Sequence, residues 1–181
     1  GGDGGLPTVL IVAEKPSIAK AIAEALGPSG RNPRQVRGIS RAIPVYELIS
    51  DSVVLPTGSE GGGEDDGRGG KKGGKQKCRV VVTSVVGHVF SLAFAQDQQD
   101  QNSDGGGGRR NNNNNDPSSF FTKPVVKMEE STTSKLRVVE HLRALAGRAD
   151  HLVLALDDDP EGENIAHEVI GVTRRAFDSK A

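Results

Sequence analysis

Residues 8–13, TVLIVA, are apolar or β-branched at every position. An unbroken run of this kind predicts a short strand buried on both faces rather than an alternating one with a wet side. Over residues 18–26 the period changes, with Ile18, Ile22 and Leu26 recurring every fourth position to share one helical face. Pro16 or Ser17 suits the start of that helix and Gly27 its end. Two short apolar stretches, 45–49 and 52–55, flank a tight turn and predict a small hairpin. RVVVTS at 79–84 is a further buried strand, followed by Val85, Val86, Gly87, His88 and Val89. Residues 135–146 place Val138, Val139, Leu142, Leu145 and Ala146 on one stripe, closed by Gly147, which predicts a helix. HLVLAL at 151–156 predicts a last strand, leading into a helix over about 163–170. This alternation predicts an α/β fold: a parallel sheet of about four strands flanked by helices, with the hairpin as an addition.

Two stretches do not follow any of these periods. Residues 57–76 contain nine glycines among Glu, Asp, Lys and Arg, and residues 96–119 are rich in Gln, Asn, Asp and Gly, with Asn at every position of 111–115. Neither buries enough apolar surface to offset the cost of ordering the chain, so both are expected to be long disordered insertions. They also explain why hydrophobic residues make up only 34% of a chain whose 181 residues suffice for one domain. The expected organisation is a flexible leader over 1–7, one domain over 8–175 interrupted by 57–76 and 96–119, and a tail over 176–181. The single cysteine, Cys78, excludes an internal disulfide framework and suits a reducing compartment. With no apolar run of membrane-spanning length and no signal-peptide layout, no membrane association is expected. The net charge of −1 means that a nucleic-acid partner needs local basic groups. Lys71, Lys72, Lys75, Lys77 and Arg79 form one such cluster, although a solvated charged loop is the simpler account of it. The absence of an initiating Met, together with one Tyr and no Trp, reads as a piece of something longer.

The strongest chemical signal is the segment DDDPEGE at 157–163. Asp157, Asp159 and Glu161 alternate just past a strand end, where open α/β sheets place ligands. Clustered carboxylates repel unless a cation lies among them, and hard oxygen donors suit Mg²⁺, which keeps several waters and takes few carboxylates. The plain alternative is a solvated acidic turn at a helix start, where negative charge is favoured. Glu14 ends the first strand, and in a parallel sheet all strand C-termini emerge at one edge, so Glu14 and the acidic segment are expected to converge. Lys15 beside it offers a point cation for a phosphate. By itself, Glu14-Lys15 reads equally as an ordinary helix entry.

Taken together and in order, VLIVAEKPSIAKAIAEAL, VVTSVVGHVFSLAF and LALDDDPEGENIAHEVI resemble the N-terminal Toprim domain of type IA DNA topoisomerases, nearest to the eukaryotic topoisomerase III family and its beta type. DPSSFF and SKLRVVEHL resemble the family segment between the second and third motifs. The resemblance implies a Rossmann-like Toprim fold in an isomerase that relaxes negatively supercoiled DNA by transient single-strand cleavage and religation. It implies that Glu14 sits near the scissile phosphate and assists proton transfer to the leaving 3′ oxygen, that Lys15 contacts that phosphate, and that Asp157, Asp159 and Glu161 hold Mg²⁺. It also puts Gly87 and His88 near the site, with His88 and Glu163 as accessory residues; an anchoring His and a first-turn helix residue are their plainer readings.

The implied partners are single-stranded DNA, with RNA left open, the remaining domains that carry the nucleophilic Tyr, and accessory proteins; the implied location is the nucleus. The only tyrosine, Tyr46, falls in an apolar stretch and reads as structural, so this chain alone is expected to be inactive. Pro160 stands where the family usually has Arg or Lys, and Asp158 where an uncharged residue is common. Two other readings remain: a Toprim nuclease or primase-type protein in which metal activates water or a hydroxyl, and a noncatalytic DNA-associated module.

Overall fold

The computed structural model describes residues 5–27, 32–55, 74–75, 77–94 and 124–180. The stretches read as insertions, 57–76 and 96–119, lie outside the described residues, apart from 74–75. In chain order the elements are β1 (Thr8–Ala13), α1 (Pro16–Leu26), β2 (Arg34–Val36), β3 (Val45–Ser50), β4 (Val54–Leu55), β5 (Gly74–Lys75), β6 (Cys78–Ser84), β7 (Phe90–Phe94), β8 (Val125–Glu129), α2 (Ser131–Lys135), α3 (Val138–Ala146), β9 (His151–Ala155) and α4 (Pro160–Asp178).

β1, the all-apolar run, lies inside a five-stranded sheet of order β2-β3-β6-β1-β9. It pairs in parallel with β6 on one side and β9 on the other, so every backbone group along it has a ladder partner. Alternation along the strand divides its side chains between two cores. Val9, Ile11 and Ala13 pack with Ala19 and Ala23 of α1, whereas Leu10 and Val12 pack with Val138, Leu142, Ile165 and Val169 of α3 and α4. Helices therefore cover both faces, which is why the strand carries no polar position.

Several expectations are corrected. The sheet has five strands rather than about four, and its β2-β3 end is antiparallel: β3 pairs with β6 antiparallel, and β2 with β3. Residues 45–49 and 52–55 do not form a hairpin with each other. β3 joins the main sheet, because Val45 and Leu48 have buried positions to fill there, and β4 pairs instead with β5. The small antiparallel hairpin exists but is built from β7 and β8. The helix expected over 135–146 is two helices, broken at Arg137, whose φ of 55° is left-handed and cannot continue a helix. α4 begins at Pro160 and runs to Asp178, so the expected tail is in part helix, with Ala176 and Phe177 packed against the core. Tyr46 is half-buried in β3 against the α1-side core, in keeping with a structural role.

One buried polar group ties these layers together. His141 of α3 is fully enclosed; its Nδ1 accepts the Ser40 amide at 3.2 Å, and its Nε2 lies 3.0 Å from Thr83 Oγ1. Thr83 Oγ1 gives its own proton to the carbonyl of Pro44 at 3.0 Å, so the ring must be the donor at Nε2 and is neutral. Gly38 closes the pocket, since a Cβ there would overlap the imidazole. Burial pushes the His141 pKa down from its ordinary value. A second proton would have to sit on Nδ1 against the Ser40 N–H, so the folded state resists it while the unfolded chain accepts it.

The stability from this group is therefore full above the ordinary imidazole pKa of about 6.5 and is lost progressively as pH falls toward the depressed folded value. The thermal midpoint should drop between roughly pH 7 and pH 5. His141→Gln should be less stable at neutral pH and show a flatter profile across that window. An equally steep profile in the variant would remove His141 as the source.

Candidate functional site

Because β6, β1 and β9 are adjacent and parallel, their C-terminal ends leave the sheet side by side. Ala13 is in register with Ser84 on one side and Ala155 on the other, and the Val85 amide extends the ladder to the Ala13 carbonyl at 2.9 Å. Glu14, the Gly87-His88 turn and the 157–163 turn thus issue from three neighbouring strand ends. Glu14 is half-buried and Lys15 exposed. Lys15 is also the residue before α1, its carbonyl accepting the amides of Ile18 and Ala19, and no side chain caps that helix start. Ser84 Oγ, buried at the end of β6, has no hydrogen-bond partner among the described residues.

The acidic turn owes its shape to two residues. Asp159 is the N-cap of α4: its Oδ1 accepts the Gly162 amide at 2.7 Å and its carbonyl accepts that of Glu163 at 3.0 Å. Gly162 lies so close beneath the turn that a Cβ would overlap the Asp157 carbonyl oxygen. Pro160 occupies the first helical position, where a missing amide proton costs nothing. Its departure from the expected pattern is therefore one of charge and not of backbone. Asp157, Asp158, Asp159 and Glu161 are all exposed, and Glu161 and Glu163 fall in the first turn, where the helix dipole favours them.

His88 joins the β6 loop to α4. Its Nε2 is 3.9 Å from Glu161 Oε1 and its Nδ1 is 3.5 Å from Glu168 Oε2. Gly87, with φ of 101°, makes the turn that delivers His88 to the helix, a conformation other residues rarely adopt. Thr133 Oγ1 holds the loop from the other side by donating to the His88 carbonyl at 3.1 Å. The Glu168 carboxylate accepts the Val89 amide at 2.7 Å and the Phe90 amide at 3.4 Å. Glu168 was not anticipated from sequence. Its one signal there is position: seven residues after Glu161, two turns along the same helical face.

The structure thus brings Glu14, His88 and the acidic turn to one edge, and links His88 to Glu161. It does not gather Asp157, Asp159 and Glu161 into a closed cage: among the described residues no three His, Cys, Asp or Glu side chains converge as ion ligands. Glu163 faces along α4 toward His167, with 4.0 Å between Oε1 and Nε2. Of the basic cluster, Lys71 and Lys72 lie outside the described residues. Lys77 and Arg79 are exposed at the start of β6, the opposite end of the sheet from Glu14.

Residues 9–180 match the family described as Toprim domain, and the chain belongs to that family. It is 34% identical over 94% of its length to a protein from Arabidopsis thaliana named DNA topoisomerase 3-alpha, covering 15% of it. It is 36% identical over 95% of its length to DNA topoisomerase 3-beta of the same plant, again covering 15%. Against DNA topoisomerase 3-beta-1 of Homo sapiens the identity is 32% over 91% of this chain, or 15% of the human protein. The chain is therefore a Toprim domain of the topoisomerase III-like, type IA kind, and it spans about 15% of the length of the curated relatives it matches.

The capping role of Asp159 separates charge from structure. Asp159→Asn keeps the cap and should leave stability nearly unchanged, whereas Asp159→Ala should cost about 1 kcal/mol. Urea unfolding of the two variants checks this; equal losses would mean that Asp159 does not act as the cap.

Proposed function

We propose that this chain supplies the metal-binding and proton-transfer half of the active site of a type IA topoisomerase that relaxes negatively supercoiled DNA through transient single-strand breaks. The reading is carried by one observation: Glu14 and the 157–163 turn leave adjacent parallel strands at one edge, in register through Ala13 and Ala155. About one-third identity to proteins named DNA topoisomerase 3 across nearly the whole chain supports it. On this reading the nucleophilic Tyr belongs to a different domain, the substrate is single-stranded DNA with RNA as a further one to test, and the enzyme works in the nucleus. Among the described residues no helix is long and apolar enough to cross a membrane.

Asp157, Asp159 and Glu161 would hold Mg²⁺, which, when bound, neutralises phosphate charge. The donor set fits, being exposed hard oxygens, and the lack of a three-carboxylate cage suits an ion that takes one or two carboxylates plus waters and substrate phosphate. Asp159 keeps one carboxylate oxygen outside its cap bond. Lys15, exposed at the uncapped start of α1, places positive charge where a phosphate would meet open helix amides. Glu14, half-buried beside it, passes a proton to the departing 3′ oxygen and takes it back on religation.

Mg²⁺ should bind the chain weakly, and Asp157→Asn with Asp159→Asn should remove most of that binding while the protein stays folded. Calorimetric titration measures it, and equal affinity in both proteins would exclude this site. In the longer enzyme that contains this chain, Glu14→Gln should slow cleavage of single-stranded DNA by about 10²–10⁴-fold. DNA affinity should change much less, since one contact among many is altered.

The 181-residue chain alone should neither relax nor cleave plasmid DNA, with or without Mg²⁺. Mg²⁺-dependent nicking that disappears in Asp157→Asn would replace the topoisomerase reading with a Toprim nuclease.

A further inference from the structure

Glu168 is a carboxylate in an unusual position. It lies in the middle of α4, its side chain is only 12% exposed, and it makes no ion pair with Lys or Arg among the described residues. A buried carboxylate needs donors, and all of those seen around it come from one short piece of the β6–β7 loop: the amides of Val89 and Phe90 and the Nδ1 edge of His88. Three donors from consecutive residues converge on one oxygen, Oε2.

The consequence concerns the two nitrogens of His88. A carboxylate accepts and cannot donate, so the ring edge facing Glu168 carries the proton, at Nδ1. Nε2 is then the unprotonated nitrogen. It points toward Glu161 Oε1 from 3.9 Å, too far for a direct bond and with no proton to give. Two acceptors facing each other across that gap leave room for a third group that donates, a water or a hydroxyl. The arrangement resembles the general device in which a buried carboxylate orients an imidazole and sets its tautomer, so that the opposite nitrogen meets the chemistry.

We infer that Glu168 is a positioning residue: it fixes the Nδ1–H tautomer of His88 and the path of the β6–β7 loop, so that Nε2 is presented as a proton acceptor at the acidic turn. The functional part of this inference rests on the reading that the turn belongs to the cleavage site, whereas the tautomer and the loop anchorage do not. Gly87 and Thr133 serve the same placement, the first by the left-handed turn before His88 and the second by holding the His88 carbonyl.

Imidazole ¹⁵N spectra of the intact 181-residue chain at neutral pH, without metal or DNA, test it directly. The four histidines are few enough to assign by substitution, with His88→Gln identifying the signal of interest. His88 should be protonated on Nδ1, while His141 in the same spectrum should show the opposite, Nε2–H, form. Glu168→Ala should shift His88 toward the Nε2–H form and speed amide exchange at Val89 and Phe90 by about tenfold or more, since each loses its buried acceptor. Glu168→Gln should restore most of both properties, because its amide oxygen accepts where the carboxylate did. Should Glu168→Ala fail to fold, the wild-type tautomer alone still decides.

In the longer enzyme, Glu168→Ala should lower the cleavage rate constant roughly 10–100-fold, the usual loss when the partner of an active histidine is removed. The dissociation constant for single-stranded DNA should stay unchanged, and Glu168→Gln should recover much of the rate. An Nε2–H form for wild-type His88, or a tautomer unaffected by Glu168→Ala, overturns the inference. Cleavage insensitive to Asp157→Asn with Asp159→Asn would instead remove the functional reading and leave the tautomer result standing, so the two failures are distinguishable.

Discussion

The parallel register of β6, β1 and β9 is the constraint from which the candidate site follows. Ala13 sits level with Ser84 and with Ala155, so three chain segments far apart in sequence leave the sheet at one height. Parallel pairing demands crossovers, and the crossovers here are helices that bury both faces of the sheet. β1 is thereby enclosed on every side, which makes its end the most rigidly held point of the edge. A glutamate placed one residue beyond that end inherits the rigidity, and the surrounding loops need only supply local turns.

Those turns are each over-determined by short-range chemistry. The acidic turn is closed by the Asp159 cap and the absent Cβ of Gly162, and the β6 loop by the positive φ of Gly87. Glu168 then couples the second turn to the helix that carries the first. α4 is thus both the continuation of the acidic turn and the anchor of the His88 loop. A shift of this helix would move both sides of the site together, whereas a shift in α1 would move Lys15 alone. Asp159 is the residue where structure and chemistry overlap: its carboxylate is at once a helix cap and a proposed ion ligand, and one of its oxygens serves each purpose.

The opposite end of the sheet has a different character. Lys77 and Arg79 lie there, exposed at the start of β6, so their charge cannot assist a phosphate held near Glu14. Lys15 is left as the cation placed by a strand end at the candidate site. An electropositive surface to hold a long anionic strand has to come from outside the described residues, which accords with a chain that spans about 15% of the relatives it matches.

Much of the fold was legible in the sequence because the relevant signals are local. TVLIVA, RVVVTS and HLVLAL are dense apolar runs whose lengths admit strands, and Ile18, Ile22 and Leu26 mark a helical face without reference to anything distant. The same holds for the order of Glu14 and the acidic segment after their strands, from which a shared edge follows by the geometry of parallel sheets. What local signals cannot carry is partner choice. Residues 45–49 are a strand by composition, but their pairing with β6 instead of with 52–55 was decided by the buried positions that the sheet offered Val45 and Leu48. The break at Arg137 is likewise invisible in a stripe that runs straight through it. Glu168 is the sharpest case: in sequence it is one more glutamate on an amphipathic helix, and only folding brings three donors of a loop 80 residues away onto its oxygen, for a separation of 79 from Val89 and 78 from Phe90. Sequence by itself determined which segments bury and where carboxylates follow strands, because burial and capping act within a few residues. Tertiary structure alone decided which polar groups meet, because a hydrogen bond between distant segments depends on register and on every layer packed between them.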